Sequence, residues 1–298
     1  MSRPLSELAW RVIVSVIAAP LAVASAFAGG ALLAALLSMV AAVAAWEFFR
    51  IARSAGYDPM EVAGIPLAAA IPLGVHATYL GLVNPPVAQL VTVVILGLFA
   101  LSVFARGADR RPLGATATTC LGVAYTGAML SFGYALRYHD YVVGRKAGMV
   151  LLLFPMLLTW TSDTGAYFVG RSIGRHKLIP SVSPNKTVEG ALGGLLLAVL
   201  VSLAYVHWVL APNALLTLST LNAILFGVAV SGAVQLGDLA ESMIKREGGV
   251  KDSSRIIPGH GGVLDRLDGL IFALPVAYVL LNLAHFLQPA SLTAGILP

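Results

Sequence analysis

Ser242–Asp268, SMIKREGGVKDSSRIIPGHGGVLDRLD, is a polar run set between two long apolar segments. It holds Lys245, Arg246, Lys251, Asp252, Arg255, Asp265, Arg266 and Asp268, with His260 and the pair Gly261 and Gly262, in a chain that is only 11% charged. The contrast decides the fold. The flanking segments are long enough to cross a bilayer, so the charged run belongs at a water-facing edge. Cations, hard carboxylates and a Gly-rich turn are together what binding a metal–polyphosphate requires.

The rest of the chain agrees with a membrane setting. Its 298 residues are 58% hydrophobic, with a mean hydropathy of +0.86. A soluble domain is closer to a quarter charged. Apolar stretches of spanning length predict about nine transmembrane helices, at 12–28, 31–46, 64–83, 86–105, 114–136, 147–161, 187–210, 215–236 and 269–288. The segments at 31–46 and 147–161 are short, which leaves half-insertion open for one of them. The fold class expected is an all-α polytopic membrane protein. Cys120 is the only cysteine, so an intrachain disulfide and a thiolate metal site are excluded. Arg3 and Arg11 precede the first span and small residues end it, as in a cleavable signal peptide. With eight spans following, an uncleaved first helix is expected.

Alternating nine spans sorts the loops into two sets, one of which holds 16 of the 19 Lys and Arg residues. The positive-inside bias then predicts a cytoplasmic N-terminus and an outside C-terminus in the cell (inner) membrane. Only Arg137, Arg145 and Lys146 fall on the other side. The net charge of +5 suits anionic lipid and calls for no nucleic acid. Segments 162–190 and 237–268 contain 17 of the 33 charged residues, and both fall on the cytoplasmic side. Residues 1–136 are therefore expected to be a transmembrane scaffold, and 137–298 a catalytic region with a cytoplasmic-side active site.

Asp238, Ser242 and Lys245 follow the eighth span at i, i+4 and i+7, so a continuing helix puts them on one face. Such a row can hold a metal and the phosphates it bridges, or simply solvate a helix end. Gly259, His260, Gly261 and Gly262 follow Pro258 and allow positive φ and close backbone approach to an anion; an ordinary turn has the same composition. Asp265 and Asp268 are i, i+3 at the start of the ninth span. There they complement the helix dipole, and they are equally suited to Mg²⁺.

A second cluster runs from Asp163 through Gly170, Arg171, Gly174 and Arg175 to Asn185, Lys186, Thr187 and Glu189. Lys186 and Thr187 are expected in a loop turning into the seventh helix, where a helix N-terminus favours phosphate. Gly170 and Gly174 are expected in a close-packed helix seam. His76, His207 and His285 stand singly in apolar surroundings and read as packing or interfacial residues.

The run Ser242-x-Ile244-Lys245-Arg246-x4-Lys251-Asp252-x-Ser254-x2-Ile257-Pro258-x-His260-Gly261-Gly262-Val263-x-Asp265-Arg266-Leu267-Asp268 resembles the signature of phosphatidate cytidylyltransferases, the CDP-diacylglycerol synthases. About 17 positions over 27 residues take part, and Ser254 stands where small residues, often Gly, occur. The blocks around Asp163 and Lys186 resemble the same family; the N-terminal half resembles it in hydropathy alone. The resemblance implies transfer of the cytidylyl group of CTP to phosphatidate, Mg²⁺ dependence with room for a second cation, and a homodimer. Carried over residue by residue, it makes Asp238 and Asp265 metal ligands supported by Asp268, with Asp163 the weaker match. Lys245 joins Asp238, Asp265 and Asp268 as catalytic. Lys186, Ser242, Arg246, Lys251, His260, Gly261, Gly262 and Arg266 become substrate-binding. It does not assign carboxylates to individual metals.

Three other readings compete. A CTP-dependent polyprenol kinase would move the γ-phosphate and leave no cytidine on lipid. A CDP-alcohol phosphatidyltransferase would show a DGxxAR…GxxxD…D pattern, which is not found. A secondary transporter would place its charges near the midplane in broken helices, whereas here they gather toward one face.

Overall fold

Glycines at 29 and 30, with φ of +64° and +56°, break the chain between a helical stretch at 20–28 and the first long helix. The amide of Gly29 bonds back to the Ser25 carbonyl at 2.8 Å, an end that the left-handed conformation makes possible. The computed structural model describes residues 16, 20–84, 86–106, 111–257, 259 and 261–290. Eight long helices follow the glycine break: α1 (Gly30–Ser54), α2 (Glu61–Tyr79), α3 (Val87–Arg106), α4 (Pro112–Arg137), α5 (Gly144–Ile173), α6 (Val188–Ala214), α7 (Thr220–Glu247) and α8 (Leu264–Asn282). Two small antiparallel ladders join them. β1 (Lys177–Ile179) pairs with β2 (Ser183–Thr187), and β3 (Leu216–Thr217) pairs with β4 (Gln288–Pro289).

Among the described residues, seven helices, α1 to α7, are long and apolar enough to cross a membrane. The chain is a helical membrane protein. α8 has 19 residues but places Asp265, Arg266 and Asp268 in its first turns. Of the span expected at 12–28, residues 20–28 are helical, and 12–15 and 17–19 lie outside the described residues. Those expected at 31–46 and 147–161 are the N-terminal parts of helices of 25 and 30 residues. An apolar window measures only the lipid-facing length, and polar ends extend a helix beyond it. The span expected at 215–236 begins only at Thr220, because Leu215 takes a φ of +55° and the next two residues join a ladder. α3 exposes nearly its whole length, with Leu98 and Ser102 its buried residues, as suits a helix facing lipid tails.

The chain separates into two compact units. The first takes the described parts of Met1–Ala22, Gly30–Tyr134 and Ile244–Leu267. Its core is the Ala-rich face of α1, with Ala41, Ala44, Ala45, Phe48 and Phe49 buried. The Phe49 ring fits only because Gly64 and Gly122 lack side chains; a Cβ at Gly64 would lie 2.5 Å from its Cζ. Close approach of small residues is what holds helices together where lipid competes for every apolar surface. Replacing Phe49 by Ala would cost about 3–5 kcal/mol through the cavity left behind.

The second unit takes Val23–Gly29, Ala135–Met243 and the described part of Asp268–Pro298. There α5 and α6 touch along a glycine seam. A Cβ on Gly165 would meet the Gly193 carbonyl at 2.8 Å, and one on Gly190 would meet the Ala166 carbonyl at 2.8 Å. Gly170 and Gly174 belong to this seam, with Thr187 of β2 filling the space beside them. Phe154 stacks between Tyr205 and Phe226, at 4.5 Å from each. Ser162 and Ser231 share a buried hydrogen bond of 2.8 Å that ties α5 to α7. The buried Arg137 guanidinium donates to the carbonyls of Ala26 (2.6 Å) and Phe27 (3.0 Å), satisfying the end of the 20–28 helix.

Candidate active site

In the first unit, the last residues of α7, from Ile244 on, lead into the polar loop. Gly249, with φ +65°, ends the helix: its amide bonds the Arg246 carbonyl at 3.1 Å and that of Val250 bonds the Lys245 carbonyl at 2.9 Å. This is the paired closure a left-handed glycine permits. The chain then loops back on itself, with the Ile257 amide bonded to the Gly261 carbonyl at 2.9 Å. Gly259 and Gly261 take φ of +75° and +85°, which side-chain-bearing residues rarely adopt. Pro258 and His260 lie outside the described residues.

Asp265 closes this loop from the first turn of α8. Its Oδ2 accepts from the Ser253 amide and hydroxyl, each at 2.9 Å, and from the Gly262 amide at 2.8 Å. Its Oδ1 accepts from Lys245 Nζ at 2.7 Å, and the two side chains are only 6% and 12% exposed. Gly262 has no room for a side chain, since a Cβ would overlap Ser253 Oγ. Around this latch, Arg246, Lys251 and Arg266 are exposed, and Arg246 donates to the Val250 carbonyl at 3.4 Å. Lys245, Asp265, Gly261 and Gly262 thus come together, while Arg246, Lys251 and Arg266 remain turned to solvent.

Glu47 of α1 had no place in the sequence-derived site. It is fully buried and accepts from Ser253 Oγ (3.1 Å), Ser254 Oγ (2.5 Å), the Val263 amide (3.0 Å) and the Leu264 amide (2.6 Å). A lone acid in a bilayer-length apolar helix is itself a signal of function, and that signal marks Glu47.

The second unit contains a cavity of about 650 Å³ lined by Asp163, Tyr167, Arg171, Asn185, Lys186, Thr187, Gln235 and Asp238. The β1–β2 hairpin forms one wall, where an irregular loop was expected. Thr187 ends the hairpin and caps α6, its hydroxyl accepting from the Gly190 amide at 3.1 Å. Glu189 fastens the hairpin's other end through the Arg175 amide at 3.1 Å and His176 Nδ1 at 2.5 Å. Lys186 Nζ pairs with Asp238 Oδ2, their side chains 25% and 34% exposed. On α5, Arg171 lies against the Tyr167 ring and donates to its hydroxyl at 2.7 Å. Asp163, Lys186 and Asp238 are therefore gathered at one cavity. Ser242 stands one turn beyond Asp238 on α7, and Asp268 one turn beyond Asp265 on α8, accepting from the Gly269 amide at 2.7 Å.

Among the described residues, no three His, Cys, Asp or Glu side chains converge as a ready-made metal cage. Mg²⁺ does not need one, since it keeps waters and shares phosphate oxygens while one or two carboxylates hold it. Asp163 and Asp238, facing one open cavity beside a Lys, fit that donor set. Asp265 fits it less well, because its two oxygens already receive four protein donors.

Bilayer-length helices bearing carboxylates and cations at helix ends and a Gly-rich turn define a polytopic membrane protein with the donor set of polyphosphate chemistry. The sequence matches the model of the Cytidylyltransferase family over residues 9–284, and the chain belongs to that family. It is 41% identical over 197 residues to the phosphatidate cytidylyltransferase of Staphylococcus aureus (strain COL), covering 65% of this chain and 70% of that one. The phosphatidate cytidylyltransferase of Staphylococcus epidermidis (strain ATCC 12228 / FDA PCI 1200) is 42% identical over the same length and shares. That of Staphylococcus saprophyticus is 41% identical over 195 residues, 65% of this chain and 69% of that one.

Proposed function

We propose that this chain transfers the cytidylyl group of CTP to phosphatidate, giving CDP-diacylglycerol and pyrophosphate. The observation that supports it most is the meeting of Asp163, Lys186 and Asp238 at one cavity, in a family member that also bears the full Ser242–Asp268 signature.

The chemistry is a displacement at phosphorus. A phosphate oxygen of phosphatidate attacks the α-phosphorus of CTP, an O–P bond forms, and the bond to the β-phosphate oxygen breaks. The attacking phosphate is ionised at neutral pH, so no strong general base is required. The obstacle is repulsion between two anions, and the residues answer it with charge. Lys186 holds one phosphate at the mouth of the cavity. In the first unit, Arg246, Lys251 and Arg266 are exposed around the glycine turn, a cationic surface suited to phosphate. Lys245 remains clamped to Asp265 and holds the turn in shape. Asp163 and Asp238 would hold a Mg²⁺, which when bound draws charge off the departing pyrophosphate.

The charge distribution supports a cytoplasmic N-terminus and a cytoplasmic face for this chemistry, where CTP is available. Acyl chains would stay in lipid while the headgroup enters from the side. A homodimer in the inner membrane completes the proposal.

The test uses purified protein with phosphatidate, Mg²⁺ and CTP labelled separately on cytosine and on the γ-phosphate. Cytosine label in lipid with release of pyrophosphate is the expected result. Transfer of γ-label to a polyprenol acceptor, with no cytosine in lipid, would replace the proposal with a lipid kinase.

A further inference from the structure

We propose that Glu47, on the first long helix, is a positioning residue for the reaction: it holds the Ser253–Leu264 segment in its working shape. The inference rests on the cytidylyl-transfer reading for its activity arm alone.

A carboxylate inside an apolar helix is costly unless every lone pair finds a donor. Glu47 is the only acid in α1, and all four of its hydrogen bonds come from residues 253, 254, 263 and 264. Among the described residues, none comes from α2 or α4, which pack against α1. Its charge therefore stabilises one thing, the conformation of the polar loop. Two of the donors, the Val263 and Leu264 amides, are open N–H groups at the start of α8, where a negative charge also meets the helix dipole favourably. The other two are hydroxyls at the loop's entry. Glu47 thus pins both ends of a segment that includes Gly259, Gly261 and Gly262, residues with little conformational preference of their own.

Glu47 and Asp265 also share a partner. Ser253 Oγ lies 3.1 Å from Glu47 Oε2 and 2.9 Å from Asp265 Oδ2, and has one proton to give. Whichever acid receives it, the other is held by the remaining donors, so the loop, Glu47 and the Lys245–Asp265 latch form one network. The fit is tight from the glycine side as well, for a Cβ on Gly262 would lie 2.5 Å from Glu47 Oε1. An amide in place of Glu47 would keep the shape and turn an NH₂ group toward backbone donors, which is the wrong polarity.

The experiment compares the full chain with Glu47→Gln and Ser254→Ala in lipid nanodiscs. It measures kcat and KM for CTP, and amide hydrogen exchange of residues 250–264 against 66–79. Glu47→Gln should lower kcat by about 30-fold or more, with faster exchange confined to 250–264. Ser254→Ala should lower kcat by about 3–10-fold alone and add nothing in the Glu47→Gln background. Wild-type kcat and exchange in Glu47→Gln would overturn the proposal. So would a uniform rise in exchange with activity lost only in proportion to unfolded protein. If Glu47→Gln does not fold, Ser254→Ala decides by the same two readouts. If the wild type proves to have another activity, exchange at 250–264 still tests the grip on the loop.

Discussion

Lys245 Nζ lies 2.7 Å from Asp265 Oδ1, tying the last turn of α7 to the first turn of α8 across the loop at 248–263. Neither side chain is more than 12% exposed, so the pair is largely desolvated. Removing one partner leaves a buried charge without its counter-charge, at a cost of about 3–5 kcal/mol. Asp265→Asn should therefore lower the melting temperature in detergent and reduce turnover at least about 100-fold. Combining it with Lys245→Met should restore much of the melting temperature and none of the turnover. Wild-type turnover in either variant would remove Asp265 from the catalytic machinery.

Lys186 and Asp238 pair at a cavity mouth, where water screens them. Exposed pairs of this kind contribute about 0–1 kcal/mol to stability. Lys186→Ala and Asp238→Asn should melt close to the wild type while losing about 100-fold in kcat/KM. Asp238→Asn should in addition need more Mg²⁺ to reach half of its own maximal rate. An unchanged Mg²⁺ titration would move the metal away from Asp238.

The helices were legible because long apolar runs have few other solutions in lipid. Their ends were not, since α1 and α5 extend past the apolar windows with polar residues at their tips. The β1–β2 hairpin escaped notice because its strands of three and five residues have no clean alternation of buried and exposed positions. Asp163, Lys186 and Asp238 were recognisable singly from charge in an apolar chain; their meeting at one cavity depends on the glycine seam between α5 and α6. Glu47 stayed hidden for a different reason. Its partners lie 206 to 217 residues away, and a local pattern contains no trace of a contact that distant.

Gly262 offers a sharp steric test. A Cβ there would overlap Ser253 Oγ and press on Glu47, so Gly262→Ala must displace the loop. Turnover should fall at least about tenfold, because small shifts in a positioning loop are expensive in rate. Gly232 of α7 is the control, since a Cβ there would meet nothing within 4 Å. Gly232→Ala should keep full turnover and gain about 0.5–1 kcal/mol from better helix propensity. Equal activity in the two variants would show that the loop tolerates displacement.

His139 predicts a pH dependence of stability. It lies between α4 and α5, is 4% exposed, and packs against the rings of Tyr141 and Tyr278 at 5.4 and 6.0 Å. Burial pushes its pKa below the ordinary histidine value, and the neighbouring Asp140 charge offsets part of that effect. The unfolded chain therefore takes up the proton before the folded one does as pH falls. Stability from the neutral ring is fully present above the unfolded value of about 6.5 and declines as pH drops from there toward the lowered folded value. Melting curves in detergent at pH 7.5 and 5.5 should show the wild type losing stability on acidification. His139→Gln, which does not titrate, should lose less over the same interval. Parallel losses in the two proteins would assign the acid sensitivity to other groups.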